Sequence, residues 1–141
     1  MNDSKLKHLE FIQNIITRLS ANSFLIKGWS VTLVSALFAL AAEHGNLNFI
    51  LIAYLPVIVF WGLDGFFLCE EKQYRKLYEE VAAKKDDAID FNLNTAKFNT
   101  GVRGWFSTIF TKTLVPFHGA LLSVLLLITL GLVLRRAVRF F

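Results

Sequence analysis

Three long and nearly uncharged apolar segments constrain this chain more than any other feature. They cover residues 24–42, 49–68 and 114–134. A helix rises about 1.5 Å per residue, so each segment can cross a hydrocarbon core roughly 30 Å thick. Hydrophobic residues make up 55% of the chain and charged residues 18%, which is more apolar than a small soluble domain. Because a backbone in lipid must satisfy its own hydrogen bonds, we predict an all-α membrane protein.

The first half of the chain predicts two helical units. In residues 1–23, apolar side chains recur at helical spacing, which indicates an amphipathic cytoplasmic helix that ends near Asn22. This helix either packs against other cytoplasmic parts or lies on the membrane surface. Residues 24–68 predict a transmembrane hairpin, in which a short polar turn joins spans 24–42 and 49–68. We expect Pro56 to kink the second span.

The second half of the chain is predicted to continue outside the membrane and then to re-enter it. Residues 69–112 predict a cytoplasmic helix continuous with the second span, followed by an interfacial segment rich in aromatic and basic residues. Within this range, residues 89–94 alternate apolar and polar side chains and suggest a short extended segment. Residues 113–141 hold the third apolar segment and a basic tail, which predict a third transmembrane helix.

The basic residues predict the orientation. With a cytoplasmic N-terminus, all but three of the 15 Lys and Arg residues lie on the cytoplasmic side, as the positive-inside rule favours. The exceptions are Arg135, Arg136 and Arg139, which three full passes would leave outside. Either the last segment spans and tolerates this violation, or the chain turns back at residues 116–119 and returns its tail to the cytoplasm.

Two ionisable residues lie inside the predicted hairpin, Lys27 in the first span and Asp64 in the second. An ionisable group within a span is costly and is a functional-site hypothesis by default. Both residues are equally far from the turn between the spans, so an antiparallel hairpin sets them at the same depth. They form either a structural clasp that fixes the register of the hairpin or a gate that lines a hydrated path.

Three tryptophans are candidate interfacial anchors. Trp29 and Trp61 lie near the cytoplasmic ends of the first two spans, and Trp105 lies in the predicted interfacial segment. Tryptophan favours the headgroup region because its ring is apolar and its N–H is polar. We therefore expect these three side chains to mark the boundary of the membrane.

The sequence offers no catalytic, cofactor or metal site that we can recognise. His8, His44 and His118 are scattered along the chain without another ligand at metal-binding spacing, and we interpret His118 as a packing residue. The lone Cys69 cannot form an intramolecular disulfide. The basic residues flank the apolar segments and form no stripe suited to nucleic acid, so we expect no nucleic-acid partner and no enzymatic activity.

The order of segments carries a family resemblance. The chain contains HLEFIQNIITRL, then NSFLIKGWSVTLVSALFALAA, a hairpin partner ending in FWGLDGFFL, and the charged helix EEKQYRKLYEE. This layout resembles the RipA-family octameric membrane proteins of bacteria. More distantly, it is similar to the SLATT two-span effectors of antiviral operons and to the small membrane accessory protein of type VI CRISPR systems.

The resemblance implies a ring-like homo-oligomer, such as an octamer, in the bacterial inner membrane. It implies a pore or membrane-perturbing effector that acts in stress or antiphage defence when a cytoplasmic signal arrives. The HEPN-type arginine that precedes a histidine in the CRISPR group is missing before His8, His44 and His118, so no nuclease role carries over.

Two functions follow as hypotheses. In the first, the protein assembles with itself in the lipid bilayer and forms a pore that is gated through its cytoplasmic helices. In the second, it is a non-conducting membrane scaffold whose cytoplasmic helices recruit a protein partner. A chain with only three spans has little room for a private substrate cavity, and this favours assembly in either case.

Overall fold

The computed structural model describes residues 3–44 and 48–139, and the regular structure in these ranges is entirely helical. The elements in order are α1 (Asp3–His44), α2 (Asn48–Ile52), α3 (Tyr54–Ala83), a 3-10 helix (Ala96–Phe98), α4 (Gly101–Ile109) and α5 (Val115–Arg139). The predicted all-α fold is confirmed. Within these ranges, three stretches are long and apolar enough to cross a membrane: Asp3–Glu43, Asn48–Ala83 and Val115–Arg135. Part of the turn predicted between the first two spans, residues 45–47, lies outside the described residues.

Helix α1 is one continuous helix of 42 residues, so the predicted end of the amphipathic helix near Asn22 is wrong. Serine and asparagine weaken a helix when their side chains compete for the local backbone. Here the hydroxyl of Ser20 donates instead to Glu71 Oε2 of α3 at 2.7 Å, and the hydroxyl of Ser23 donates to Asp64 Oδ1. Contacts with α3 therefore occupy the polar side chains that would otherwise favour a break.

The second span and its extension form one long helix, as predicted. Helix α3 runs from the apolar region through to Ala83, and the helical hydrogen bonding before it is interrupted at Ala53. Ala53 keeps helical backbone angles, with φ −64° and ψ −19°. Pro56 lies in the first turn of α3 and has no N–H to donate to the preceding turn. The disturbance that we predicted at Pro56 is thus an interruption one turn earlier.

The polar ends of α1 and α3, residues 3–20 and 71–83, pack side by side and are here called the polar helix pair. Their shared core consists of Leu9, Ile12, Ile16, Leu77 and Val81, covered by partly buried tyrosines and by Phe98. Full burial of one such aliphatic side chain contributes about 1.5–3 kcal/mol. Of the two arrangements considered for the N-terminal helix, the structure has the packed one.

The segment between α3 and α4 is not extended, so the strand suggested for residues 89–94 is wrong. The side-chain oxygens of Asp90, Asn92 and Asn94 each accept a hydrogen bond from the backbone N–H two residues later. Phe91 between them has a positive φ of 52°. Short polar side chains bend the chain in this way because they offer the backbone a local partner in place of a neighbouring strand.

Helix α5 is continuous from Val115 to Arg139, which excludes a turn at residues 116–119. Its contacts are few. Leu125 is fully buried against Val34, Ile50, Ala53 and Val57, and the hydroxyl oxygens of Tyr54 and Thr129 lie 3.1 Å apart. Most other apolar side chains of α5 are exposed on the single chain, as expected for a helix that faces lipid or another copy.

Candidate functional site

The three long helices meet at one group of polar side chains. Ser23 and Lys27 come from α1, Asp64 from α3 and His118 from α5; we call these four residues the Asp64 cluster. Ser23 and Lys27 are one turn apart and therefore share a face of α1. The cluster lies near the ends of the apolar segments where α1 and α3 continue into the polar helix pair.

The carboxylate of Asp64 is the centre of the cluster. Its Oδ2 atom lies 2.6 Å from Lys27 Nζ and 2.9 Å from His118 Nε2, while its Oδ1 atom accepts the hydroxyl of Ser23. Lys27 Nζ also donates to Ser23 Oγ at 2.8 Å. An ionised carboxylate can only accept a hydrogen bond. The ring of His118 therefore carries a proton on Nε2 and donates it to Asp64.

Burial makes these contacts energetically important. The side chains of Asp64 and His118 are 0% exposed, and that of Lys27 is 21% exposed. A charge removed from water costs several kcal/mol unless an opposite charge and hydrogen bonds compensate it. Asp64 has both forms of compensation, which come from two other helices. The cluster therefore holds α1, α3 and α5 in one register.

Two buried polar atoms in this region have no hydrogen-bond partner among the described residues. They are Nδ1 of His118 and Oγ of Ser30, and Ser30 follows Lys27 by one turn on α1. Both residues are 0% exposed. A buried polar atom without a hydrogen-bond partner is costly, by about 1–3 kcal/mol.

Two tryptophans pack around the cluster and cross-link the helices. The ring of Trp61 stacks on that of His118, with centroids 5.7 Å apart and an interplanar angle of 11°. Trp61 Nε1 donates to the carbonyl of Ile109 at 3.0 Å, and Trp105 Nε1 donates to the carbonyl of Gly62 at 2.9 Å. Both indole N–H groups are thus used within the protein, where they join α3 to α4.

The two glycines that flank Leu63 and Asp64 permit this close approach of α4. A Cβ atom added at Gly65 would lie 2.6 Å from Cγ1 of Ile109, and one added at Gly62 would lie 3.4 Å from Trp105. The first distance is shorter than non-bonded carbon atoms tolerate. Glycine at position 65 is therefore a steric requirement of the contact between α3 and α4.

The structure brings together the predicted pair Lys27 and Asp64 and adds two residues to it. Ser23 lies next to the helix end predicted near Asn22, and the sequence favours a packing role for His118, yet both side chains bind Asp64. One sequence signal was present, because Ser23 precedes Lys27 by one helical turn. Trp29, the third candidate anchor, is 58% exposed and remains a predicted interfacial residue.

The cluster has one histidine and one carboxylate, which is too few for a metal site. In residues 3–44 and 48–139, no group of three or more His, Cys, Asp or Glu side chains is arranged to hold a metal ion. Comparison of the chain with protein-family models, curated proteins and solved structures found no match.

Proposed function

We propose that this chain is a homo-oligomeric membrane protein whose permeability is controlled by its polar helix pair. The N-terminus and the polar helix pair lie in the cytoplasm of a bacterial cell, and the three apolar helices cross the inner membrane. The observation that carries the proposal is the Asp64 cluster, in which one buried carboxylate joins all three candidate spans. It lies where α1 and α3 leave the apolar region.

The continuity of α1 and α3 supports control from outside the membrane. Neither helix has a flexible joint between the polar helix pair and the cluster, since α1 runs from Asp3 to His44 and α3 from Tyr54 to Ala83. A partner that tilts the polar helix pair would therefore move Lys27 and Asp64 directly. Helices transmit such displacements because their hydrogen-bonded backbones are stiff.

Helix α5 is the element that such a displacement would release. Its polar attachments to α3 are the contact of His118 with Asp64 and the contact of Thr129 with Tyr54. Loss of the first contact would leave α5 held by the Thr129–Tyr54 contact and by apolar packing, chiefly of Leu125. A change in the position of α5 would alter any bore that several copies enclose.

Assembly from several copies is required because three helices do not enclose a bore. The exposed face of α1 supports close packing between chains, since Gly28, Thr32 and Ser35 are all exposed and small. The hydroxyl of Thr32 donates to the carbonyl of Gly28 at 2.9 Å and leaves no donor unsatisfied in lipid. Small residues at such positions let transmembrane helices approach closely.

A second function has its own supporting observation. Asp64 and His118 are 0% exposed within one chain, so their polar atoms are covered before any second copy binds. A cluster that lined a bore would be exposed on the isolated chain. This favours a structural clasp and fits a non-conducting scaffold, in which the polar helix pair presents a surface to a cytoplasmic protein.

Reconstitution in liposomes separates the two functions. The purified chain is inserted into vesicles that contain a fluorescent dye and a potassium gradient, and the release of each is followed over time. Under the first function, the wild type conducts and Asp64→Asn changes the rate of release at least ~10-fold, equivalent to about 1.4 kcal/mol. Ser123→Ala, an exposed change on α5, should behave as the wild type.

The wild type and both variants must first give a single peak in detergent. Vesicles that stay tight for all three proteins would contradict the pore and leave the scaffold. A particle larger than one chain, measured by light scattering with the detergent mass subtracted, is required by the first function. A monomer would contradict it.

A further inference from the structure

A second polar site lies outside the Asp64 cluster, between α3 and the chain that enters α4. It is a cavity of about 330 Å³, a volume in the range of ligand sites. Three basic side chains line it, Lys72, Arg75 and Lys76, together with the hydroxyl residues Thr100 and Thr108. We propose that this cavity binds a phosphate group, carried by an anionic lipid or by a soluble phosphate ester.

The charges in the cavity favour an anion. Its lining contains three basic residues and one carboxylate, Glu79. Arg75 is already bound to Glu71, with its NH2 atom 2.7 Å from Oε1, whereas neither Lys72 nor Lys76 forms an ion pair within residues 3–44 and 48–139. With Arg75 paired to Glu71, the two lysines outnumber Glu79 in the lining and leave a net positive charge that a phosphate would neutralise.

Hydrogen-bonding groups are positioned beside this charge. Lys72 Nζ donates to Oγ1 of Thr108 at 3.3 Å, and Thr108 is only 3% exposed. Because a neutral hydroxyl is a weak partner for an ammonium group, Lys72 gains by exchanging it for a phosphate oxygen. Thr100 immediately precedes α4, so the N-terminal end of a nine-residue helix lies at the wall, and its dipole also favours an anion.

The position of the cavity suits a headgroup. Lys72 and Lys76 follow the apolar segment of α3 by one to two turns, and α4 presents Val102 and Phe106 to the outside, at 69% and 53% exposure. An amphipathic helix with exposed apolar residues beside a span lies at the lipid interface. Under the orientation proposed above, this is the cytoplasmic leaflet, where basic pockets bind anionic lipids.

The test compares lipid and soluble ligands on the full chain. Binding is measured by native mass spectrometry in detergent, with phosphatidylglycerol, phosphatidylcholine or glycerol 3-phosphate as the added probe. The proposal expects phosphatidylglycerol to bind more tightly than phosphatidylcholine. Lys72→Gln with Lys76→Gln should weaken this binding roughly 30-fold, because each lysine near a lipid surface contributes about a factor of five.

The matched control removes the same charge from the same region. Arg103→Gln with Lys112→Gln alters two exposed basic residues near α4 that do not line the cavity. The proposal expects this pair to lose less than ~5-fold. Equal losses in the two double variants would overturn the proposal, since they would indicate general attraction between a basic protein and an acidic lipid.

The soluble probe identifies the source of the phosphate. Glycerol 3-phosphate that displaces phosphatidylglycerol supports a site for any phosphate ester, and displacement only by lipid supports a headgroup site. No preference for phosphatidylglycerol over phosphatidylcholine, together with no binding of glycerol 3-phosphate, would overturn the proposal. The single variant Lys76→Gln separates loss of binding from misfolding. Lys76 is exposed and has no partner in the described ranges, so this change should leave the fold intact.

Discussion

His118 of α5 lies with its Nε2 atom 2.9 Å from Oδ2 of Asp64, an oxygen that also contacts Lys27 of α1. One carboxylate atom thus receives a donor from each of the other two long helices. These side chains are far apart in sequence, and each is costly to bury alone. The contacts make the arrangement of the three helices depend on Asp64.

The effects of Lys27 and Asp64 on the free energy of unfolding should depend strongly on each other. Asp64→Leu leaves Lys27 without its counter-ion, and we expect it to lower the free energy of unfolding by about 3 kcal/mol, the lower end for a broken buried pair because Lys27 is partly exposed. Lys27→Met combined with Asp64→Leu should recover part of this loss. The measurement is denaturant unfolding in detergent for the four proteins of the cycle. Additive losses would show that the two side chains do not interact.

The attachment of α5 should depend on the donor at position 118. His118→Leu removes the N–H that Asp64 accepts, whereas His118→Gln keeps a donor of similar reach. We expect trypsin to cleave after Lys112, in the connection between α4 and α5, several-fold faster in the leucine variant, because local opening becomes more frequent. The glutamine variant should be cleaved at an intermediate rate. Equal rates for all three proteins would contradict a tethering role.

The contact between α3 and α4 should not tolerate a methyl group at position 65. Gly65→Ala places a Cβ atom 2.6 Å from Cγ1 of Ile109, and overpacking of this kind costs about 1–3 kcal/mol. Adding Ile109→Ala should restore most of the thermal stability measured in detergent. Gly28→Ala is the control, because a Cβ there meets nothing within 4 Å. A Gly65→Ala protein as stable as the wild type would show that α4 does not pack as described.

The polar helix pair should lose its packing when a side chain of its core is truncated. Ile12 is 0% exposed, and Ile12→Ala should destabilise the pair by about 2–5 kcal/mol. Phe11→Ala, at a position that is 49% exposed, is the neighbouring control and should cost much less. Limited proteolysis of residues 84–100 reports the loss of packing. Under the proposed function, only Ile12→Ala alters dye release, and equal effects of both variants would contradict control through this pair.

Asp90 should give a small pH-dependent contribution to stability. The backbone N–H of Asn92 holds the pKa of this carboxyl below its ordinary value, against a smaller opposing effect of desolvation, and Lys84 lowers it further. The folded state therefore favours the charged form. Its contribution is present above the unfolded pKa and is lost as pH falls through the lower folded pKa.

Asp90→Asn tests this contribution because it keeps an oxygen for Asn92 and removes the charge. The variant should unfold at a slightly lower temperature than the wild type at neutral pH. The difference should shrink as pH falls through the lowered pKa of the folded carboxyl and vanish once Asp90 is protonated in both states. A difference that persists unchanged in acid would show that the charge of Asp90 does not stabilise the fold.

Much of the architecture could be predicted from local sequence. The three apolar stretches, the extension of the second span into a polar helix and the equal depth of Lys27 and Asp64 all follow from run length and helical geometry. The errors share one cause. Local patterns predict a strand at residues 89–94 and a helix end near Asn22, but side-chain hydrogen bonds decide the conformation at both places. Such bonds depend on partners that a periodic pattern does not identify.

The sequence by itself determined which stretches favour lipid and which stretches form helices. The free energy of placing a stretch in lipid is a sum over the residues of that stretch. Only the tertiary structure decided that His118 and Ser23 bind Asp64 and that α4 packs on Gly65. These contacts depend on the rotation and register of whole helices. Those are set by the packing of all the helices together, so no single segment of the sequence contains them.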